Sequence, residues 1–184
     1  KAALLNGARD IGRPGPDFQH GWGLADAGAA LGIIQNQQYY TTKLSHGEER
    51  NFPITIPEGT AEVKVMVVWH DAAGSPIAGK ALVNDLDLRL TGPEGQLYLP
   101  SVLSSFPHPD SLTANAKPGV DRLNNVEQVG IKDPAPGNYT IKLKGRLVPE
   151  GPQSAAVVYR FESLGLGIRH PVAETAVAPG EQLK

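Results

Sequence analysis

Leu82-Val83-Asn84-Asp85-Leu86-Asp87-Leu88-Arg89-Leu90-Thr91-Gly92-Pro93-Glu94-Gly95 is the stretch that decides the fold. Its alternation places Leu82, Asn84, Leu86, Leu88 and Leu90 on one face and Val83, Asp85, Asp87 and Arg89 on the other, which is the period of a strand. Pro93-Glu94-Gly95 is turn chemistry and ends it. The leucine face calls for a core. The opposite face carries two carboxylates two residues apart, which repel unless solvent, a cation or Arg89 offsets them.

Working outward, the same alternation predicts strands over 39–44, 49–56, 62–69, 82–91, 96–99, 126–131, 138–144 and 155–162. His46-Gly47, Pro57-Glu58-Gly59 and Pro136-Gly137-Asn138 supply turns between them. Within 62–69, Val63, Val65, Val67 and Trp69 share one face and Lys64, Met66 and Val68 the other. Both faces are partly apolar, so this strand belongs at the centre of a sheet. The span 100–125 has little strand pattern and several prolines; a loop of that length is usually functional or mobile. Upstream, 1–8 and 24–34 are Ala- and Leu-rich and read as short helices, with loop chemistry between them. About eight strands at these spacings predict a mainly β, antiparallel sandwich of jelly-roll form, preceded by a short helical segment. The expected divisions are 1–36 helical, 37–165 sandwich and 166–184 a linker or the start of a further unit.

Composition narrows the function. The 184 residues hold 17 Lys and Arg against 19 Asp and Glu, a net charge of −2 with no basic block, so nothing points to nucleic acid. No apolar run reaches membrane-spanning length. With no cysteine, disulfides, thiolate catalysis and zinc–thiolate sites are all excluded. The 21 glycines and 16 prolines are spread through the turns, in keeping with a β-rich fold.

Two groups of motifs resemble one family. Ala3-Leu4-Leu5-Asn6-Gly7-Ala8-Arg9-Asp10-Ile11-Gly12, followed by Gly21-Trp22-Gly23-Leu24-Ala25-Asp26-Ala27, is similar to the end of the catalytic domain of subtilisin-like serine proteases (subtilases). Val68-Trp69-His70-Asp71, Val83-Asn84-Asp85-Leu86-Asp87-Leu88, Gly92-Pro93-Glu94-Gly95, Asn124-Asn125-Val126-Glu127 and Pro136-Gly137-Asn138-Tyr139-Thr140-Ile141 resemble the jelly-roll domain appended to it in some secreted subtilases. The resemblance covers about residues 1–163. It implies a secreted serine endopeptidase as parent and identifies residues 1–36 with the end of its catalytic domain. It also implies an accessory, non-catalytic role for this chain. The family's nucleophilic Ser and its His and Asp partners all lie upstream of the matched stretch, so no catalytic residue is expected here. The implied partners are the parent's own catalytic domain and protein substrates.

Domains of the resembled kind often carry calcium, which takes oxygen ligands at about 2.3–2.6 Å. The residues placed to supply them are Asp71, Asn84, Asp85, Asp87, Asn124, Asn125 and Glu127, with Asp121 nearby. The competing reading is a solvated acidic face and an ordinary Asn124-Asn125 turn. Two further readings come from other classes. One is a stand-alone module binding carbohydrate or a cell-surface protein, which would need no helical segment like 1–34. The other is an unrecognised enzyme, against which stands the lack of any coherent nucleophile and base. His20, His46, His70, His108 and His170 have no metal-ligand spacing and read as packed or exposed side chains.

Overall fold

The computed structural model describes residues 1–163. Ten strands and three short helices make up the described chain. The strands are β1 (Tyr39–Leu44), β2 (Glu49–Ile56), β3 (Thr60–Trp69), β4 (Asp85–Thr91), β5 (Leu97–Tyr98), β6 (Ser101–Val102), β7 (Lys117–Pro118), β8 (Val126–Lys132), β9 (Gly137–Leu147) and β10 (Gln153–Ser163). The helices are α1 (Ala2–Asn6), α2 (Ala27–Gln35) and α3 (Pro109–Thr113). Two four-stranded sheets, ordered β1-β10-β3-β8 and β2-β9-β4-β5, pair antiparallel throughout. That order is the jelly roll expected from the spacing of the strands. The segment 166–184 lies outside the described residues.

Alternating side chains of the two sheets meet in one core. Val63, Val65, Val67 and Trp69 of β3 face Leu86, Leu88 and Leu90 of β4 and Tyr139, Ile141 and Leu143 of β9, all of them buried. Each such aliphatic side chain contributes about 1.5–3 kcal/mol on burial, so this layer carries most of the stability. β3 is central, flanked by β10 and β8. Its second apolar face, Met66 and Val68, joins Val158 in a smaller cluster closed by Ala2 and Ile33. Helices α1 and α2 therefore lie on the outer face of the first sheet.

This helical layer is held by few large groups. Asp26 caps α2 by accepting from the Ala29 N–H at 2.9 Å. Asn6 at the end of α1 is fully buried; its amide donates to Lys64 O at 3.2 Å and accepts from Gln128 Nε2 at 3.0 Å. Between the helices, Asp17 accepts backbone N–H bonds from Arg13, Gln19 and His20. These bonds, that from His20 foremost, bring its pKa down to about 2. Gly23 sits at φ +102°, where it pairs through its neighbour Leu24 with Arg9, and a Cβ there would collide with Arg9 O. The glycine after Trp22 is thus a backbone requirement.

Two segments depart from the sequence reading. β4 begins at Asp85 and not at residue 82, because the Asp71 carboxylate takes the N–H groups of Val83 and Asn84 at 2.7 and 2.8 Å. Those groups are then unavailable to a ladder. The span 100–125, expected to be loop, folds back on itself as the β6–β7 ribbon with α3 at its tip. Two-residue strands ending in Pro118 leave no periodic signal to read.

Candidate functional site

The acidic side of β4 is buried and not solvated. Asp85 is 1% and Asp87 7% exposed, so both charges need compensation close by. Arg122, from the far end of the 100–125 excursion, supplies most of it. Its guanidinium reaches Asp85 Oδ1 at 3.3 Å, makes a short ion pair with Asp87 Oδ1, and donates to the carbonyl of Asp121 at 3.1 Å. Arg146 of β9 donates to Asp85 Oδ2 at 3.2 Å, and Lys80 approaches the same oxygen at 3.5 Å. Arg89 stands 3.8 Å from Asp87. The cation beside these two carboxylates is thus a set of side chains.

The seven expected calcium ligands are spread over separate tasks. Asp71 and Asn84 belong to a knot at one end of the sandwich. There Asn84 donates to Glu150 O and Gln153 Oε1, both at 2.7 Å, and Trp69 Nε1 donates to Asn84 O at 3.0 Å. Gln153 completes the knot by donating to His70 O at 2.9 Å. Asn125 extends the β3–β8 pairing, its amide donating to Trp69 O at 2.9 Å. Asn124 packs into a turn organised by Asp121, which accepts from the Leu123 and Asn124 N–H groups and from Asn124 Nδ2. Asp71 and Asn84 thus meet in that knot, and Asp85, Asp87 and Glu127 meet around β4. Among the described residues no group of three or more His, Cys, Asp or Glu side chains is arranged to hold a metal ion. The guanidinium of Arg122 stands between Asp85 and Asp87.

Glu127 is the unusual member. It shares the core-facing register of β8 with Val129, is 2% exposed, and accepts the Leu88 N–H at 2.7 Å. Burial drives its pKa up to about 9, with the charges of Asp121, Asp87 and Asp85 adding to the effect against the Leu88 hydrogen bond. It is a neutral carboxylic acid bridging the two sheets near pH 7. A space of about 10 Å³, the size of one water molecule, lies between Glu127, Asp87 and Asp121.

The histidines divide the same way. His46 Nδ1 accepts from the Val148 N–H at 3.3 Å and His108 Nδ1 from the Asp110 N–H at 3.2 Å. His20 Nδ1 stands 3.4 Å from Asp17, and His170 lies outside the described residues. Among the described residues no serine hydroxyl is hydrogen-bonded to a histidine. An aromatic cluster closes one side of the sandwich: Tyr40 stacks on Phe52 at 4.7 Å and on Tyr159 at 6.0 Å.

The helical segment leaves several apolar side chains half exposed. Leu4, Leu24, Leu31 and Ile34 are each about half exposed, as is Phe18 in the loop between the helices.

No protein-family model matches the chain. Over 119 residues, 64% of the chain, it is 34% identical to the serine protease/ABC transporter B family protein tagA of Dictyostelium discoideum, and it spans 6% of that protein's length. Among solved structures, the Bacillus licheniformis lipase BlEst2 in its propeptide form superposes with a TM-score of 0.39 at 15% identity, over 69% of this chain and 22% of that one. A likeness so loose carries no argument. What the sequence relation gives is a likeness to one short part of a protein named as a serine protease/ABC transporter, and the mainly β fold is read from the structure itself.

Proposed function

We propose that the chain is a non-catalytic accessory jelly-roll domain of a secreted subtilisin-like serine endopeptidase, and that residues 1–36 are the end of its catalytic domain. One observation carries the reading. The helical layer packs on one side against β3 and β10, while Leu4, Leu31 and Ile34 of the helices, with Leu24 just before α2, stay half exposed. A surface of that kind is what a larger body would cover. The relation to a serine-protease-named protein agrees with this, as do the motifs of 1–27, in which Asn6 ties α1 to β3 and β8 and Gly23 makes a tight turn. The domain's work is to stabilise the catalytic body through this face and to help position protein substrates.

The test uses paired charges. Leu31→Glu with Ile34→Glu places carboxylates where the isolated chain is open to water, so its own melting temperature should fall by no more than a few degrees. In the full-length protease the same pair should lower thermal stability sharply and release casein-hydrolysing activity to heat. A full-length enzyme unaffected by the pair overturns the assignment. So does a fluorophosphonate label on any serine of residues 1–163.

A further inference from the structure

We propose that residues 100–123 form a hinged flap, latched to the sandwich through Arg122. The excursion leaves β5 and returns at β8 without adding a strand to either sheet; its ribbon, β6 with β7, pairs only within itself. Its other bonds are internal too. Gly119 N–H donates to Pro100 O, Ser104 meets Ser111, and Asp110 N–H meets His108. Asp121 binds only Leu123, Asn124 and, through its carbonyl, Arg122. Among the described residues, the hydrogen bonds and ion pairs that leave 100–123 for either sheet run through Arg122, to Asp85 and Asp87.

The burial of the segment agrees. Phe106 is 69% exposed, Leu112 56%, Val120 47% and Leu123 52%; burial is confined to Pro100 and Asp121 at the ends, with Val102 and Leu103 half-buried, so little apolar area ties down the tip. Strands held by a full ladder open with the whole fold, whereas a segment held by one clamp opens by itself. Both hinges have a physical basis. At one end Pro100 follows the two-residue strand β5. At the other Asn125 is bound firmly to Trp69 by backbone and side chain, so the movement stops there. The flap also shapes a surface. Phe106, Pro107, Pro109 and Leu112 at its tip enclose, with Phe18, an apolar groove of about 460 Å³. All of that groove's lining except Phe18 belongs to the flap, so release of Arg122 would carry the groove away from Phe18 and uncover the carboxylates of β4.

Hydrogen exchange followed by mass spectrometry on the whole chain tests the latch. In Arg122→Ala, peptides from 100–123 should exchange at least tenfold faster than in the wild type, with β3 and β9 unchanged. Arg122→Lys, a point charge lacking the two-pronged fork, should lie between them. Because Arg122→Ala leaves buried carboxylates uncompensated, the double variant Arg122→Ala/Asp87→Asn is measured beside it. There Asp85 keeps Arg146 and Lys80, and the fold is expected to hold. Unchanged exchange in 100–123 of the double variant would overturn the latch, showing that packing holds the excursion. Uniform loss of protection across all strands in the double variant would overturn it equally, since Arg122 would then belong to the global fold.

Discussion

Glu127 makes stability depend on pH in a direction opposite to that of most carboxylates. In the folded protein its pKa is about 9, against 4.5 as the ordinary value that applies on unfolding. Between those limits the native state holds a proton that the unfolded chain has given up. Stability from this group is therefore complete at or below about pH 4.5 and is lost progressively as pH rises toward 9. The slope is at most about 1.4 kcal/mol per pH unit. At roughly 2–4 °C per kcal/mol for a chain of this size, the melting temperature should drop by up to about 3–6 °C per unit. Glu127→Gln keeps an acceptor for the Leu88 N–H and keeps the shape, but cannot ionise. Near pH 5 it should melt within about 2 °C of the wild type, and near pH 8 it should melt clearly higher. Differential scanning calorimetry of both proteins at half-unit steps isolates the group, because other titrating residues cancel in the difference. A difference that stays flat from pH 5 to pH 8, or a glutamine variant that is less stable at every pH, refutes the reasoning.

Three further outcomes are expected. Asn6→Ala leaves the buried Gln128 amide without its acceptor, which costs about 1–3 kcal/mol, and exchange protection over α1 and α2 should be lost before that of β3. Gly23→Ala puts a Cβ against Arg9 O on a backbone at positive φ, so Trp22 fluorescence should report a displaced loop; an unchanged spectrum and melting temperature would count against the turn's role. Asp85 and Asp87 already meet Arg122, Arg146 and Lys80, so calcium or EGTA should move the melting temperature by less than about 1 °C, and a shift of several degrees would show the guanidinium displaced.

Alternation made the sheets legible. β1 and β2 have the bounds read from the sequence, and β3, β8, β9 and β10 differ by a few residues at their ends, because period-two burial is a local property. What decided the acidic face was not local. The partners of Asp85 and Asp87 lie 35, 37 and 61 residues along the chain, at Arg122 and Arg146, and no spacing rule joins them. The start of β4 was hidden for the same reason, since Asp71 captures the Val83 and Asn84 N–H groups across 12 and 13 residues. Glu127 did leave a signal. It alternates in register with Val129 and Ile131, which puts it on the core side of its strand and marks it as a buried acid.

The position of β10 sets the order in which this protein can be completed. The last described strand lies between β1 and β3, paired with both along most of its length, and α1 rests partly upon it. Until residues 153–163 leave the ribosome, β1 has no neighbour and β3 presents an open edge, however much of the second sheet has formed. Synthesis from the N-terminus therefore yields a half-sandwich whose helices have only part of their seat. The closing contacts join points from 86 residues apart (Trp69 with Ala155) to 119 (Tyr39 with Val158), a topology associated with slow folding and with exposure to aggregation meanwhile. A nascent chain arrested before residue 153 should engage chaperones, whereas one arrested far enough beyond residue 163 to clear the exit tunnel should not.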